Sequence, residues 1–351
     1  MPGMKTCLLS SLALPLIFAL PANALEFKLG PLDADLTLQA DAQGSYFDDD
    51  VNDADTGSNI DWTIRFNLER ILDSGWTVGL RAEYSDAYDT DTDVDGQAIK
   101  TELDEIYVYA AGAWGRVEVG RQDGPADTLS LHAPQVGMGQ VRGDFARFVS
   151  GPASLSPYDS HNEPKAIYLS PPIGGLRVGV SYGPEMHINE DDPNPLRRTI
   201  QDNHVEIAAQ YQVPVNGVVL GLSGAYVHAD ADPATMHEDI SSWSAGAELR
   251  WQHLRVGGAF VSRGDSNSFA GRDEEEVNLG AAWLESRWSV AASAAHIERS
   301  DLSRDLAGIG GTFEVNDYIS LSADLVGFSD DYAIGPTESG FAVLGQIRLS
   351  L

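Results

Sequence analysis

One pattern constrains this chain more than any other: apolar and polar residues alternate with period 2, in runs that return from one end to the other. In Trp62-Thr63-Ile64-Arg65-Phe66-Asn67-Leu68 the even positions are apolar and the odd ones polar. The same writing recurs in Trp76 to Tyr84, Leu176 to Tyr182, Val205 to Tyr211, Val277 to Trp283, Ile319 to Leu325 and Phe341 to Leu351. Successive side chains of a strand point to opposite faces, so each run predicts a strand with one greasy face and one polar or small face. The greasy face belongs either in the core of a soluble sandwich or against lipid, with the polar face lining water.

Strand length, aromatic placement and loop asymmetry favour lipid. Many runs extend over roughly 9 to 12 residues, enough for a tilted strand to cross the hydrocarbon layer, whereas soluble strands are commonly about 5 or 6 long. Aromatics gather at strand ends, among them Trp62, Trp76, Tyr84, Trp114, Tyr182, Tyr211, Trp251, Trp283 and Trp288, as interfacial girdles require. Short connections (Ile71 to Gly75, Gly112 to Gly115, Pro171 to Gly175, Pro214 to Gly217, around His253, Glu285 to Arg287, Asn316-Asp317) alternate with longer acidic ones: Asp48 to Ser58, Ala87 to Lys100, Gly183 to Thr199, Asp230 to Asp239 and Asp265 to Glu275. Counting greasy runs between them predicts an all-β transmembrane antiparallel barrel of sixteen strands at about 20 residues per strand and connection. No linker or compositional break divides the chain after its first residues.

Those first residues carry one cation, Lys5, then an apolar run from Leu8 to Leu20, then Ala22-Asn23-Ala24. This is the plan of a secretory signal over residues 1–24, leaving 25–351 as the barrel domain. The only cysteine, Cys7, falls inside the signal. Across the chain 53 Asp plus Glu face 22 Lys plus Arg, a formal charge of −31, which excludes nucleic acid as a partner because phosphate binding needs a basic surface.

Specific phrases then resemble the Gram-negative general porin family, in its alphaproteobacterial-type branch. The stretch Leu103-Asp104-Glu105-Ile106-Tyr107-Val108-Tyr109, followed by Trp114-Gly115-Arg116-Val117-Glu118-Val119-Gly120-Arg121-Gln122-Asp123-Gly124, resembles the strands leading into the family's long third loop. Lys165 to Tyr182 is similar to the hairpin after that loop. The resemblance implies a homotrimeric outer-membrane channel for passive diffusion of small hydrophilic solutes and ions, with no catalysis and no required cofactor. It also implies that the strand-poor segment Gln122 to Glu163 folds into the lumen, where Asp123, Asp127 and Asp144 are candidate constriction acids. The chain ends in Leu351 where family members usually end in an aromatic, although the alternation from Phe341 to Leu351 is intact.

Alternation puts Arg65, Arg81 and Arg116 on the polar face, so these are the candidate cations opposing the loop acids. A transverse field between acidic loop and basic wall would filter solutes by charge and dipole. The net charge predicts cation selectivity, unless Arg65, Arg81 and Arg142 outweigh it locally. Small outward residues such as Ala292 and Ala294 are compatible with close barrel packing. Asp91, Asp93, Asp95, Gly96 and Glu102 match the spacing of an oxygen-rich calcium loop, without flanking amphipathic helices. Gly179-Val180-Ser181-Tyr182-Gly183 matches a nucleophile-elbow pattern but lacks the strand-turn-helix that pattern needs. The eight histidines form no zinc-hydrolase motif, and His132 lies in the candidate constriction loop. The competing reading is a soluble secreted calcium-binding β-protein, an adhesin or hydrolase, whose strands would pack greasy faces inward.

Overall fold

The computed structural model describes residues 25–51, 54–85, 102–142, 152–160, 162–188, 199–232 and 237–351. Strands dominate: β1 (Leu25–Leu29), β2 (Leu32–Asp49), β3 (Asp55–Ile71), β4 (Thr77–Ser85), β5 (Glu102–Gly112), β6 (Gly115–Arg121), β7 (Pro164–Leu169), β8 (Leu176–Ile188) and β9 (Thr199–Val215) fill the first part. The second part is β10 (Val218–Ala231), β11 (Ile240–Trp251), β12 (Leu254–Gly264), β13 (Glu274–Leu284), β14 (Trp288–Arg299), β15 (Leu302–Glu314), β16 (Ile319–Tyr332) and β17 (Glu338–Ser350). From β2 onward each strand pairs antiparallel with the next, and β17 returns to β2 through the register Gly340↔Asp49 to Ser350↔Gln39. Sixteen strands, β2 to β17, therefore close into a barrel, which leaves no free edge for foreign strands to pair with.

β1 is the extra segment. It folds back on β2 from Leu25↔Leu36 to Leu29↔Leu32, while Leu351 exchanges backbone hydrogen bonds of 2.9 and 2.8 Å with Leu38. The edge of β2 is thus covered first by β1 and then by the end of β17, so the final strand forms with leucine as its last residue.

The barrel is built inside out. On the outer face Leu222, Leu279 and Ile309 are 59%, 63% and 57% exposed, while their inward neighbours Ser223, Asn278 and Gly310 are half-buried or buried. Apolar surface left in water costs about 25 cal/mol per Å², so a belt of such residues around the wall needs lipid. This excludes the soluble alternative, which would have buried those faces. Exposed Trp76, Trp251, Trp283, Trp288 and Phe313 lie beside the short turns; Tyr46, Tyr84, Tyr182, Tyr226, Trp243 and Phe341 lie towards the opposite ends. Those two rings are the girdles expected from the sequence, with Trp76 against Trp114 at 5.5 Å and Trp62 against Tyr84 at 5.6 Å.

Turn chemistry explains the short side. In the β9–β10 hairpin Asn216 and Gly217 take φ of 50° and 84°, the left-handed pair of a tight turn whose twist matches its strands. The acidic stretch Asp48 to Ser58, expected as a loop, is largely strand: β2 and β3 pair as far as Phe47↔Asp55. Polar residues mislead here because strands that rise beyond the lipid no longer need a greasy face. The same applies to Gly183 to Thr199, where β8 runs on to Ile188.

Candidate functional site

Inward positions divide the wall into two unlike arcs. On β2 to β6 they carry large polar and charged groups. Arg65 donates to Glu83 at 2.6 Å, and Arg81 reaches Glu83 at 3.1 Å and Glu105 at 2.9 Å. Tyr109 donates to Glu69 at 2.9 Å, and Arg348 of β17 holds Asp41 with two 2.8 Å hydrogen bonds. On β10 to β15 the inward residues are mostly small, including Gly221, Ser223, Ala225, Gly246, Gly257, Ala259, Gly280 and Gly310.

The described residues between β6 and β7 lie in the space those small residues leave. It opens with a single helical turn, α1 (Pro125–Thr128), and then follows the inner wall across β9 to β16. Gly246 shows how close the approach is: a Cβ there would sit 1.8 Å from the carbonyl oxygen of Leu131. Three wall carboxylates fasten the segment, each by two backbone N–H groups. Glu206 of β9 accepts from Ala126 at 2.9 Å and Ser160 at 3.1 Å. Glu276 of β13 accepts from Ser154 at 2.8 Å and Leu155 at 3.0 Å. Asp324 of β16 accepts from Gln140 at 2.7 Å and Met138 at 3.3 Å. Ser223, Ser242 and Asn278 accept one more N–H each, from Leu131, Tyr158 and Ala133.

Apolar packing seals the same contact. Met138, Val141, Ala153 and Leu155 of the segment bury against Ile297, Leu306, Val326, Phe328 and Leu344 of the wall. A second cluster joins Ala126 and Leu129 to Met186, Val227 and Ile240. A long stretch of irregular backbone inside a barrel must pair its N–H groups, because a buried unpaired donor costs about 1–3 kcal/mol. The wall carboxylates and hydroxyls supply those acceptors. Sequence reasoning missed Glu206, Glu276 and Asp324. Their only signal was parity, each being an acid at an inward position of its strand.

The predicted constriction residues are placed as follows. Arg65 and Arg81 point into the lumen from β3 and β4, interlocked with Glu83 and Glu105. Arg116 also points inward, but sits next to the short turn at the start of β6, paired with Glu118 and stacked 3.8 Å over the ring of Tyr109. Asp123 faces the lumen at the start of the loop. Its side chain is exposed, yet crowding by the surrounding protein, then the like charges of Asp127, Asp159 and Glu105, push its pKa up to about 7. Asp123 thus lies within electrostatic reach of Glu105, the carboxylate that Arg81 holds. Asp144 lies outside the described residues, as do Asp91, Asp93 and Asp95. Glu102 opens β5, its backbone paired with Ser85. Among the described residues no group of three His, Cys, Asp or Glu is placed to hold a metal ion. Arg142 and His132 lie on the loop, where His132 Nδ1 is 2.9 Å from the Ala133 carbonyl oxygen. Ala292 and Ala294 face outward from β14. Ser181 lies in mid-strand on β8 and points inward, so no nucleophile elbow exists.

A closed, greasy-walled antiparallel barrel with a polar interior narrowed by a tethered loop defines a membrane channel. Comparison with known proteins agrees. The Gram-negative porin family model matches residues 9–331, and this chain belongs to that family: it is an outer-membrane channel for passive diffusion and not an enzyme. Among solved structures, OmpF of Salmonella typhi in complex with daunomycin is 14% identical, with TM-score 0.65 over 93% of this chain and all of that one. The anion-selective porin of Comamonas acidovorans is 15% identical, with TM-score 0.60 over 91% and 100%. A mutant of the Rh. blastica porin is 16% identical, with TM-score 0.53 over 91% and 100%. A search of curated protein sequences gives no match.

Proposed function

We propose that this porin is a general, non-specific channel of the alphaproteobacterial-type branch, exported by a cleaved signal at residues 1–24 and assembled as a homotrimer in outer-membrane lipid. Small hydrophilic solutes and ions pass between the tethered loop and the charged arc of β2 to β6. The observation that carries this reading is the docking of residues 122–142, 152–160 and 162–163 against the opposite arc, which supports an opening bordered by Arg65 and Arg81 of the wall and by Asp123 and Asp127 of the segment. Arg116, nearer the short-turn end, and Asp144 belong to the same proposed electrostatic lining.

The pore is further proposed to prefer cations. Fixed negative charge along a water-filled path enriches cations, most at low salt, where the Debye length is about 30 Å at 0.01 M against about 10 Å at 0.1 M. The Comamonas acidovorans porin shares the fold and is described as anion-selective, so the fold does not set the sign; the charges do. The Arg65 and Arg81 guanidiniums are each already matched by Glu83 or Glu105, which supports dominance by the remaining acids. Zero-current potentials across a bilayer in a KCl gradient test this. A cation-selective potential that weakens with salt is the expected result, and an anion-selective one at low salt overturns it.

A further inference from the structure

A second charged site stands at the opposite, long-loop end of the barrel, and its sign runs against the chain's. Arg263 ends β12, Arg299 ends β14, and Arg272 lies on the β12–β13 connection. Together they line a cavity of about 250 Å³. Register places Arg299 inside the barrel, paired with Glu274 on the inward parity of Glu276 and Asn278, and Arg263, in the bulge between Ser262 and Gly264, follows the buried inward Val261 by two residues. Three of the chain's 22 Lys plus Arg thus converge on one pocket in a molecule of formal charge −31.

The pocket is built rather than a chance grouping of long side chains. Tyr158 of the constriction loop forms part of its lining, under the Arg263 guanidinium at 5.4 Å, and its hydroxyl accepts a 3.1 Å hydrogen bond from Asn267. The connection is folded by local hydrogen bonds, from Gly271 N–H to Asp265 at 3.1 Å and from Ser268 N–H to the Asp265 carbonyl at 3.0 Å. Ser266 and Ser268 add hydroxyls to the rim. Two acids also line it, Glu274 and Asp301. Asp301 is taken by Arg299 at 2.6 Å, whereas Glu274 stands 3.8 Å from Arg263, beyond hydrogen-bonding distance. The Arg263 Nε is shielded from solvent and makes no hydrogen bond. Arg272 lies beside the Phe269 ring at 5.6 Å and within electrostatic reach of Asp301. In the lining three cations face two acids, with Arg263 held only by its long ion pair to Glu274 and its Nε without a hydrogen bond.

We propose that this pocket is an anion-binding station of the outer vestibule, taking the phosphate or carboxylate group of a small organic solute. Guanidinium forks match the oxygen geometry of both groups, the serine hydroxyls suit a neighbouring polyol, and the volume fits about eight waters' worth of solute at roughly 30 Å³ each. A station here offsets the repulsion that an acidic barrel exerts on anionic nutrients and holds them directly above the constriction loop. The proposal rests on the channel reading, and ordinary KCl conductance of the same preparation checks that reading separately.

The test uses the porin extracted from outer membranes and reconstituted in a planar bilayer. Glucose 6-phosphate, citrate or uncharged glucose is added to one side while current noise is recorded at low salt. The phosphate and carboxylate probes should interrupt the current from the long-loop side, and glucose should not. Arg263→Gln and Arg272→Gln should each weaken the interruption about tenfold, in line with loss of one charge-assisted fork, and leave KCl conductance close to wild type. If both variants conduct normally and retain wild-type interruption by the anions, the arginines merely brace the connection and the proposal fails. It fails equally if glucose interrupts the current as well as its phosphate does.

Discussion

Glu276→Gln isolates the tethering of the constriction loop in a single atom. Both carboxylate oxygens of Glu276 are used: Oε2 accepts from Ser154 N–H at 2.8 Å, and Oε1 accepts from Leu155 N–H at 3.0 Å and from the Asn278 amide at 2.9 Å. Glutamine keeps the shape but must turn its NH₂ towards one of these donors. At least one backbone N–H then faces another donor in a site that is 2% exposed. A hydrogen bond to a charged acceptor contributes about 1.5–3 kcal/mol, and a buried donor left without an acceptor costs about 1–3 kcal/mol. Docking of the 153–155 stretch should therefore weaken by about 3 kcal/mol, which is roughly 100-fold in its local equilibrium. The barrel itself should persist, because its strand ladders do not pass through Glu276's side chain, and Glu206 and Asp324 still hold the remainder of the loop. Single-channel recording should show new open-state flicker, and limited proteolysis should cut the loop faster in a barrel that keeps its heat-modifiable gel mobility. A correctly folded variant with wild-type quiet current and wild-type protease resistance would refute the tethering argument.

Four further outcomes follow from the same geometry. Gly246→Val should push Leu131 towards the pore axis and lower conductance, since its Cβ would meet the Leu131 carbonyl at 1.8 Å, while Gly345→Ala, with nothing within 4 Å, should conduct normally. Asp123, with its pKa pushed up to about 7, holds a proton in the folded channel that the unfolded chain releases near 3.8. Its contribution to stability is therefore lost as pH rises towards 7, and the lumen gains a negative charge over the same range. Cation preference measured by zero-current potential should strengthen from pH 6 to pH 8, and Asp123→Asn should flatten that step. Deleting Ala126 to Gln135 should raise conductance and admit larger sugars in liposome swelling; unchanged conductance in an inserted variant would count against the loop as the size limit. Chelation should lower the temperature at which the assembly dissociates if the loop bearing Asp91, Asp93, Asp95 and Glu102 binds calcium, because an ion held only by the folded state stabilises it by mass action. An Asp93→Asn/Glu102→Gln variant should lose that response, and equal responses would mean a merely solvated loop.

By itself the sequence determined the features that depend on near neighbours. Alternation from Trp62 to Leu68 assigns each side chain to a face, and strand length together with rim aromatics sends the greasy face to lipid. Turn pairs such as Asn216-Gly217 mark the short side, and those signals suffice for a closed sixteen-strand barrel with Arg65, Arg81 and Arg116 pointing inward. Strand ends beyond the lipid were not legible, because Asp48, Asp49 and Asp55 to Ser58 stay in the ladder without a greasy face to announce them. Nor was the tether, since Glu206, Glu276 and Asp324 stand 46, 121 and 184 residues from the loop groups they bind, and no local pattern links partners so far apart. The tertiary structure alone decided which arc of the wall is small enough to receive the loop and which remains charged. It also decided that Arg263, Arg272 and Arg299 share one pocket, because the register of β12, β13 and β14 sets which strand ends meet and Tyr158 of the distant constriction loop completes the lining.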